Sequence, residues 1–223
     1  MQQTALNTIA IGVFLLTIIS LISPILQISP LIPTAVTVFI MGLATVDTFS
    51  WQNRGATLFL SFLAGKEQRE RVLHHEAGHF IAAYYLGIPI VGYTLTPWEG
   101  IKQGFSGMGG VVFDFDSIEQ KNSSELPLFL DRFATVLMAG IAAEKIIYGN
   151  AEGGIEDREK LQQTLKTFDF YGENYQIKER RSQLQATNLI QRNRETYLTL
   201  VEAMRERKSV EDCCKILSRD TPV

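Results

Sequence analysis

Two long apolar runs open the chain, and a mixed polar and apolar pattern follows them. Residues 5–28 are apolar apart from scattered Ser, Thr, Asn and Gln, and residues 31–51 form a second run whose one charged residue is Asp47. Each is close to the roughly 20 residues that an α-helix needs to cross a hydrocarbon core. Ser29-Pro30-Leu31-Ile32-Pro33 supplies a helix break between them, so the pattern predicts a transmembrane hairpin. A cleaved signal peptide is the rival reading of the first run. It fits poorly, because the start has no basic residue, the run is long and no small-residue cleavage site stands out. Arg54, Lys66, Arg69 and Arg71 follow the second span. Positive charge of this kind places that side in the cytoplasm, or in the stroma of a plastid. Asp47 reads as an interfacial residue at the end of its span. Residues 57–64 are apolar but short and read as a segment lying on the membrane surface or packed under the domain that follows.

After Gly65 the periodicity changes. Residues 67–86 read as a helix, with Gly87 and Pro89 as its stop signal. Residues 90–96 and 110–115 alternate or run apolar and read as short strands. The linker between them holds Gly100, Gly104, Gly107 and Gly109. It reads as a loop beside a cleft, or as part of a plain structural hairpin. Either strand has an edge that an extended peptide could pair with. Residues 123–148 read as a long buried helix with Leu126, Leu130, Phe133, Val136, Leu137 and Ile141 on its inner side. Residues 159–168 and 175–217 complete a helical C-terminal part, apolar at Leu184, Leu189, Ile190, Tyr197, Leu200 and Met204. Its charged face is a solvated surface or the place where a second copy, or a separate ATPase, would dock. The fold class is therefore mainly α (α+β): a membrane anchor over 1–65, then a helical domain with a small sheet over 66–223.

Composition removes several function classes. The 223 residues carry a formal net charge of −3, and no run of Lys or Arg forms a phosphate-binding stripe, so nucleic acid is not a partner. No G-x-x-x-x-G-K-[ST] sequence occurs, so no P-loop for ATP is present. The two cysteines, Cys213 and Cys214, are adjacent. Adjacent cysteines rarely bridge, which makes them reduced thiols rather than a disulfide framework.

The chemistry lies in His75-Glu76-Ala77-Gly78-His79, an H-E-x-x-H sequence on the first helix of the second domain. Residues four apart share a helix face, so His75 and His79 can present two imidazoles to one metal ion. Glu76 stands beside them as the base for a water molecule. Zinc lowers the pKa of a water it holds from about 15.7 to about 7 and polarises a carbonyl. A catalytic zinc takes three protein ligands. The chain has three histidines, and His74 cannot share the face of the other two, so it reads as a surface or supporting residue. The third ligand is then Asp or Glu, or less readily Cys, with Glu144, Glu152, Glu156 and Asp157 among the acidic candidates downstream.

These residues resemble the peptidase domain of FtsH, the membrane AAA zinc protease, over roughly residues 70–215. The resemblance rests first on His75-Glu76-Ala77-Gly78-His79 and its apolar continuation. It rests next on Leu130-Asp131-Arg132-Phe133 leading into Met138-Ala139-Gly140-Ile141-Ala142-Ala143-Glu144 and Ile146-Ile147-Tyr148-Gly149. Gly153-Gly154-Ile155-Glu156-Asp157 and the C-terminal helices with Asn193-Arg194 and Leu200-Val201-Glu202-Ala203-Met204 complete it. The resemblance implies a zincin-type helical fold, a zinc cofactor held by His75, His79 and Asp157, and Glu76 as the catalytic residue. Ile155-Glu156 departs from the family's Ser-Asn at this point, and Glu144 is the second choice of ligand or the residue that orients one. The absence of a P-loop makes the chain similar to the FtsH-like peptidases of cyanobacteria and chloroplasts that lack the ATPase. Gly87-Ile88-Pro89 through Gly92-Tyr93-Thr94-Leu95, Gly109-Gly110-Val111-Val112-Phe113 and Tyr148-Gly149-Asn150-Ala151-Glu152-Gly153-Gly154 support that likeness. It implies ATP-independent cleavage of unfolded or damaged proteins at a cytoplasmic or thylakoid membrane. The alternative is a silent adaptor, or an ATPase-partnered scaffold, with a retained zinc site.

Overall fold

The two apolar runs form helices α1 (Gln2–Ile22) and α2 (Leu31–Ser50), which pack on each other. In the computed structural model, residues 2–23, 25, 27, 29, 31–50, 65–104, 110–114, 125–168 and 174–219 are described. The chain divides into two compact units, Met1–Phe62 and Leu63–Val223. In the first, Thr17, Thr37 and Thr45 donate their hydroxyls to the carbonyls of Val13, Pro33 and Met41, one turn back. Each hydroxyl is thereby satisfied within its own helix. Large apolar side chains such as Phe14, Leu21 and Phe39 stay exposed. Pro33 lies in the first turn of α2 rather than in the break between helices. A missing N–H costs no helical bond there.

Among the described residues, one helix is long and apolar enough to cross a bilayer. It is Leu126–Tyr148, and most of it is buried within the protein, which makes it a core helix. The strongly apolar parts of α1 and α2, Ala10–Ile19 and Leu31–Asp47, are shorter than the spans of 5–28 and 31–51 that the sequence suggests. The expected surface segment over 57–64 lies outside the described residues.

Among its described residues the second unit is mostly helical, with one two-stranded sheet. Its elements are α3 (Lys66–Tyr85), β1 (Ile90–Thr94), α4 (Pro97–Lys102), β2 (Gly110–Phe113), α5 (Leu126–Tyr148), α6 (Ile155–Thr167), α7 (Tyr175–Arg192), α8 (Arg194–Arg205) and α9 (Val210–Arg219). Helix α5 is the centre, with α3, α6 and α7 packed on it. Helix α8 covers the other side of α3, and α9 closes on α8. Strands β1 and β2 pair antiparallel, with Tyr93 opposite Val111 and an irregularity between Ile90 and Gly92. Phe80 meets Tyr93 edge-on and Phe113 meets Phe133 edge-on, so aromatic contacts fix the sheet to α3 and α5. The Tyr93 hydroxyl donates to the Lys208 carbonyl at 2.6 Å and ties β1 to the α8–α9 turn.

Helix α3 approaches α5 closely because Gly78 has no side chain. A Cβ there would stand 2.5 Å from the Ala139 carbonyl oxygen and 2.7 Å from the Ala143 Cβ. Overpacking of this kind costs about 1–3 kcal/mol. Gly78→Ala is expected to lower unfolding stability by that amount, read as a lower urea midpoint at unchanged m-value.

Several expectations need correction. The supposed linker contains α4, whose N-cap Thr96 accepts the Glu99 N–H at 3.2 Å with Pro97 in the first turn. Gly107, Gly109 and Phe115 lie outside the described residues, as do Ser123 and Ser124 at the expected start of α5. Helix α6 begins at Ile155 instead of 159, which brings Asp157 into its first turn. The C-terminal part is three helices. Ile190, Tyr197, Leu200 and Met204 are fully buried there, but Leu184 is 62% exposed and belongs to the solvent face.

Candidate metal centre

Helix α3 carries His75 and His79 one turn apart, and both rings turn towards α5 and the first turn of α6. Carbonyls and carboxylates only accept hydrogen bonds, which puts a proton on a ring nitrogen that faces one. His79 Nδ1 lies 2.7 Å from the Val136 carbonyl oxygen, and His75 Nδ1 lies 2.7 Å from Glu144 Oε1. Each Nδ1 therefore carries a proton, and each Nε2 faces the same point. Asp157 Oδ2 reaches that point from α6, at 3.0 Å from His75 Nε2 and 3.4 Å from His79 Nε2. The three donor atoms lie within 4.8 Å of one another, and the three residues are largely buried.

This donor set fits zinc. Ligand atoms about 2.1 Å from a tetrahedral zinc stand about 3.4 Å apart, close to the two distances from Asp157 Oδ2 to the imidazoles. The charges fit as well. Burial opposes a positive charge on His75, yet its hydrogen bonds to Asp157 and Glu144 outweigh burial and push its pKa up to about 10. Burial also opposes charge on Asp157, but the nearby His79 and the hydrogen bond to His75 hold its carboxyl well below the usual carboxylate range. Two carboxylates converging on one imidazole make a place for a cation, and a proton and a metal ion compete for the same Nε2.

Glu144 stands on the far edge of the His75 ring from Asp157. Its carboxylate also accepts the backbone N–H groups of Glu152, at 2.8 Å, and Gly153, at 3.2 Å. Burial would raise its pKa, but the His75 and Glu152 hydrogen bonds hold it below the normal range. It therefore orients a ring and shapes the loop that leads to Asp157, and it is absent from the cluster of converging donors. Of the other acidic candidates, Glu152 pairs with Arg71 at 3.4 Å and Glu156 lines the cleft, and neither joins the cluster.

Glu76 faces the same cleft, and its Oε2 accepts the Val111 N–H of β2 at 3.0 Å. The cleft holds about 410 Å³. Val111, Phe113, Phe133 and Leu137 make part of its wall apolar, while Glu156 and Lys160 add charge. Gly140 of α5 backs the His75 ring, where a Cβ would come within 2.4 Å of Nε2.

His74 is buried rather than on the surface. Its ring meets Tyr148 edge-on, and its Nδ1 lies 2.8 Å from the Tyr197 hydroxyl oxygen, away from the donor cluster. Burial lowers its pKa. Cys213 and Cys214 are free thiols, and burial pushes Cys213 up to about 11, so it stays protonated at neutral pH. Sequence reasoning missed the Val136 carbonyl and the Val111 N–H. Backbone groups leave no trace in residue type. Arg71, treated above only as a topology signal, was missed as a neighbour of the site.

No family model matches the chain. Over 93 residues, 41% of its length, it is 34% identical to an ATP-dependent zinc metalloprotease FtsH of Marinobacter nauticus. The match spans 13% of that protein's length. This partial likeness and the His-His-Asp cluster are compatible with a zinc protease.

Proposed function

We propose that the chain is a membrane-anchored zinc metalloendopeptidase that cleaves extended segments of unfolded or damaged proteins without ATP. The observation that carries the reading is the convergence of His75 Nε2, His79 Nε2 and Asp157 Oδ2 beside the Glu76 carboxylate. Bound there, zinc would supply Lewis acidity to the carbonyl under attack and make water a nucleophile at neutral pH. His75, held by Glu144, and His79, held by the Val136 carbonyl, keep their Nε2 atoms aimed at one point. Glu76 takes a proton from the attacking water and passes it to the leaving amine. Val111 N–H holds the Glu76 carboxylate in the cleft, and the β2 strand beside it suits an extended peptide.

The membrane part of the proposal rests on α1 and α2, whose exposed apolar residues and internally bonded threonines suit lipid. The catalytic unit then lies on the cytoplasmic or stromal side, in a cyanobacterial or chloroplast membrane such as the thylakoid. The partners are protein substrates and lipid. A second copy of the chain or a separate ATPase would join through the charged helical surface.

Full-length protein in detergent, mixed with unfolded casein and no ATP, tests the reading. Cleavage that a chelator stops and added zinc restores is the expected result. Zinc binding without cleavage, unless a separate ATPase is supplied, would favour the adaptor or partnered scaffold instead.

A further inference from the structure

Arg71 is 8% exposed and sits one turn before His75 on α3. Residues four apart lie on one helix face, so its guanidinium points to the same side as the His75 ring. Its neighbours come from the end of α5 and the loop that leads to Asp157. The guanidinium lies 4.4 Å from the Tyr148 ring centroid. Nη1 donates to Asn150 Oδ1 at 3.3 Å, and Nη2 pairs with Glu152 Oε1 at 3.4 Å and Glu67 Oε1 at 3.6 Å. Glu144 Oε2 is 3.9 Å from Nη1. The other oxygen of Glu144 accepts from His75.

A buried ion pair is weak support for stability, because desolvation offsets most of its Coulomb gain. The placement of this cation serves something more local. Arg71 faces one oxygen of the carboxylate whose other oxygen orients His75. It also holds Asn150 and Glu152, on the loop whose backbone N–H groups cap the same carboxylate. A planar fork can hold several acceptors in fixed directions, which an ammonium cannot.

We propose that Arg71 is a positioning residue for the metal centre, acting through Glu144 to fix the imidazole of His75. The proposal rests on the zinc reading above. Arg71 is outside both the donor cluster and the lining of the cleft. It sets how firmly Nε2 of His75 is presented.

The test is the zinc dissociation constant of full-length protein, measured by competition with a chromophoric chelator. The variants are Arg71→Gln, Arg71→Lys, Glu144→Gln and each Arg71 change combined with Glu144→Gln. Outer partners of metal-bound histidines typically contribute 10–100-fold in affinity, so Glu144→Gln should weaken zinc by about that range and Arg71→Gln by about tenfold. Arg71→Lys keeps the charge but loses the fork and should recover only part of the loss. In the Glu144→Gln background either Arg71 change should add less than about twofold, since coupled residues are not additive. Circular dichroism and a thermal melt accompany each variant. Should Arg71→Gln fail to fold, Arg71→Lys carries the same comparison.

Arg71 variants that melt earlier but bind zinc like the wild type would overturn the proposal. So would an Arg71 effect that multiplies in full with that of Glu144→Gln, because a merely structural role predicts independence. Wild-type protein that binds no zinc, or whose binding survives His75→Ala, would overturn the metal-site reading and this proposal with it. Normal zinc binding with indifferent Arg71 variants would overturn this proposal alone.

Discussion

Replacing Glu76 by Gln is expected to reduce casein cleavage by a factor of about 10²–10⁴, the usual contribution of a general base, with zinc content unchanged. The amide has the shape of the carboxylate, and its oxygen can still accept the Val111 N–H that holds Glu76 at 3.0 Å. It cannot take a proton from water. Glu76 is also outside the cluster of converging donors, so its loss leaves the metal ligands in place. Turnover and metal content measured on the same preparation check this. Turnover that survives the change would remove Glu76 from the chemistry. Loss of zinc along with activity would make its role structural.

Removing the carboxylate of Asp157 should act on the metal itself. Asp157→Ala deletes the one donor that α6 brings to the two imidazoles. Loss of an outer hydrogen-bond partner costs about 10–100-fold in metal affinity, and loss of a direct ligand should cost more. Chelator competition should therefore rank Asp157→Ala well below Glu144→Gln. The reverse order would make Glu144 the third ligand. The geometry argues against that order, because Glu144 lies on the Nδ1 edge of His75 and Asp157 on the Nε2 edge.

Much of this site was readable in residue type and spacing. His75, Glu76 and His79 stand four residues apart or less on a helix whose observed ends, Lys66 and Tyr85, differ by one residue from the expected ones. The apolar run of α5 gave its burial, although the helix is buried on every side over residues 133–144 rather than along one stripe. Asp157 was harder. From the residues alone it was one of several acidic candidates, and only the resemblance singled it out. Its helix begins with Gly154 as N-cap and no side-chain cap, so no Ser, Thr, Asp or Asn marks the start, and the expected helix opened four residues late. The opposite error befell α4. Thr96-Pro97-Trp98-Glu99 is a helix start signal, but the glycines around it dominated the reading.

Residue type also says nothing about long-range partners. His74 is a polar residue on a helix that opens with charges, and its type left a surface and a supporting position equally open. Burial came from Tyr148 and Tyr197, which arrive from elsewhere in the chain. The membrane reading is of another kind. Composition makes α1 and α2 apolar, and the helices form, but an apolar helix with exposed Leu, Ile and Phe states only that something apolar should cover it.

The central claim is that His75, His79 and Asp157 hold a zinc ion. Anomalous diffraction from crystals of the zinc-loaded protein, collected on both sides of the zinc absorption edge, tests it most directly. The account predicts one strong peak in contact with His75 Nε2, His79 Nε2 and Asp157 Oδ2, on the side of the cleft that Glu76 faces. A peak bound by Glu144, or no peak at these residues in zinc-loaded crystals, would contradict it.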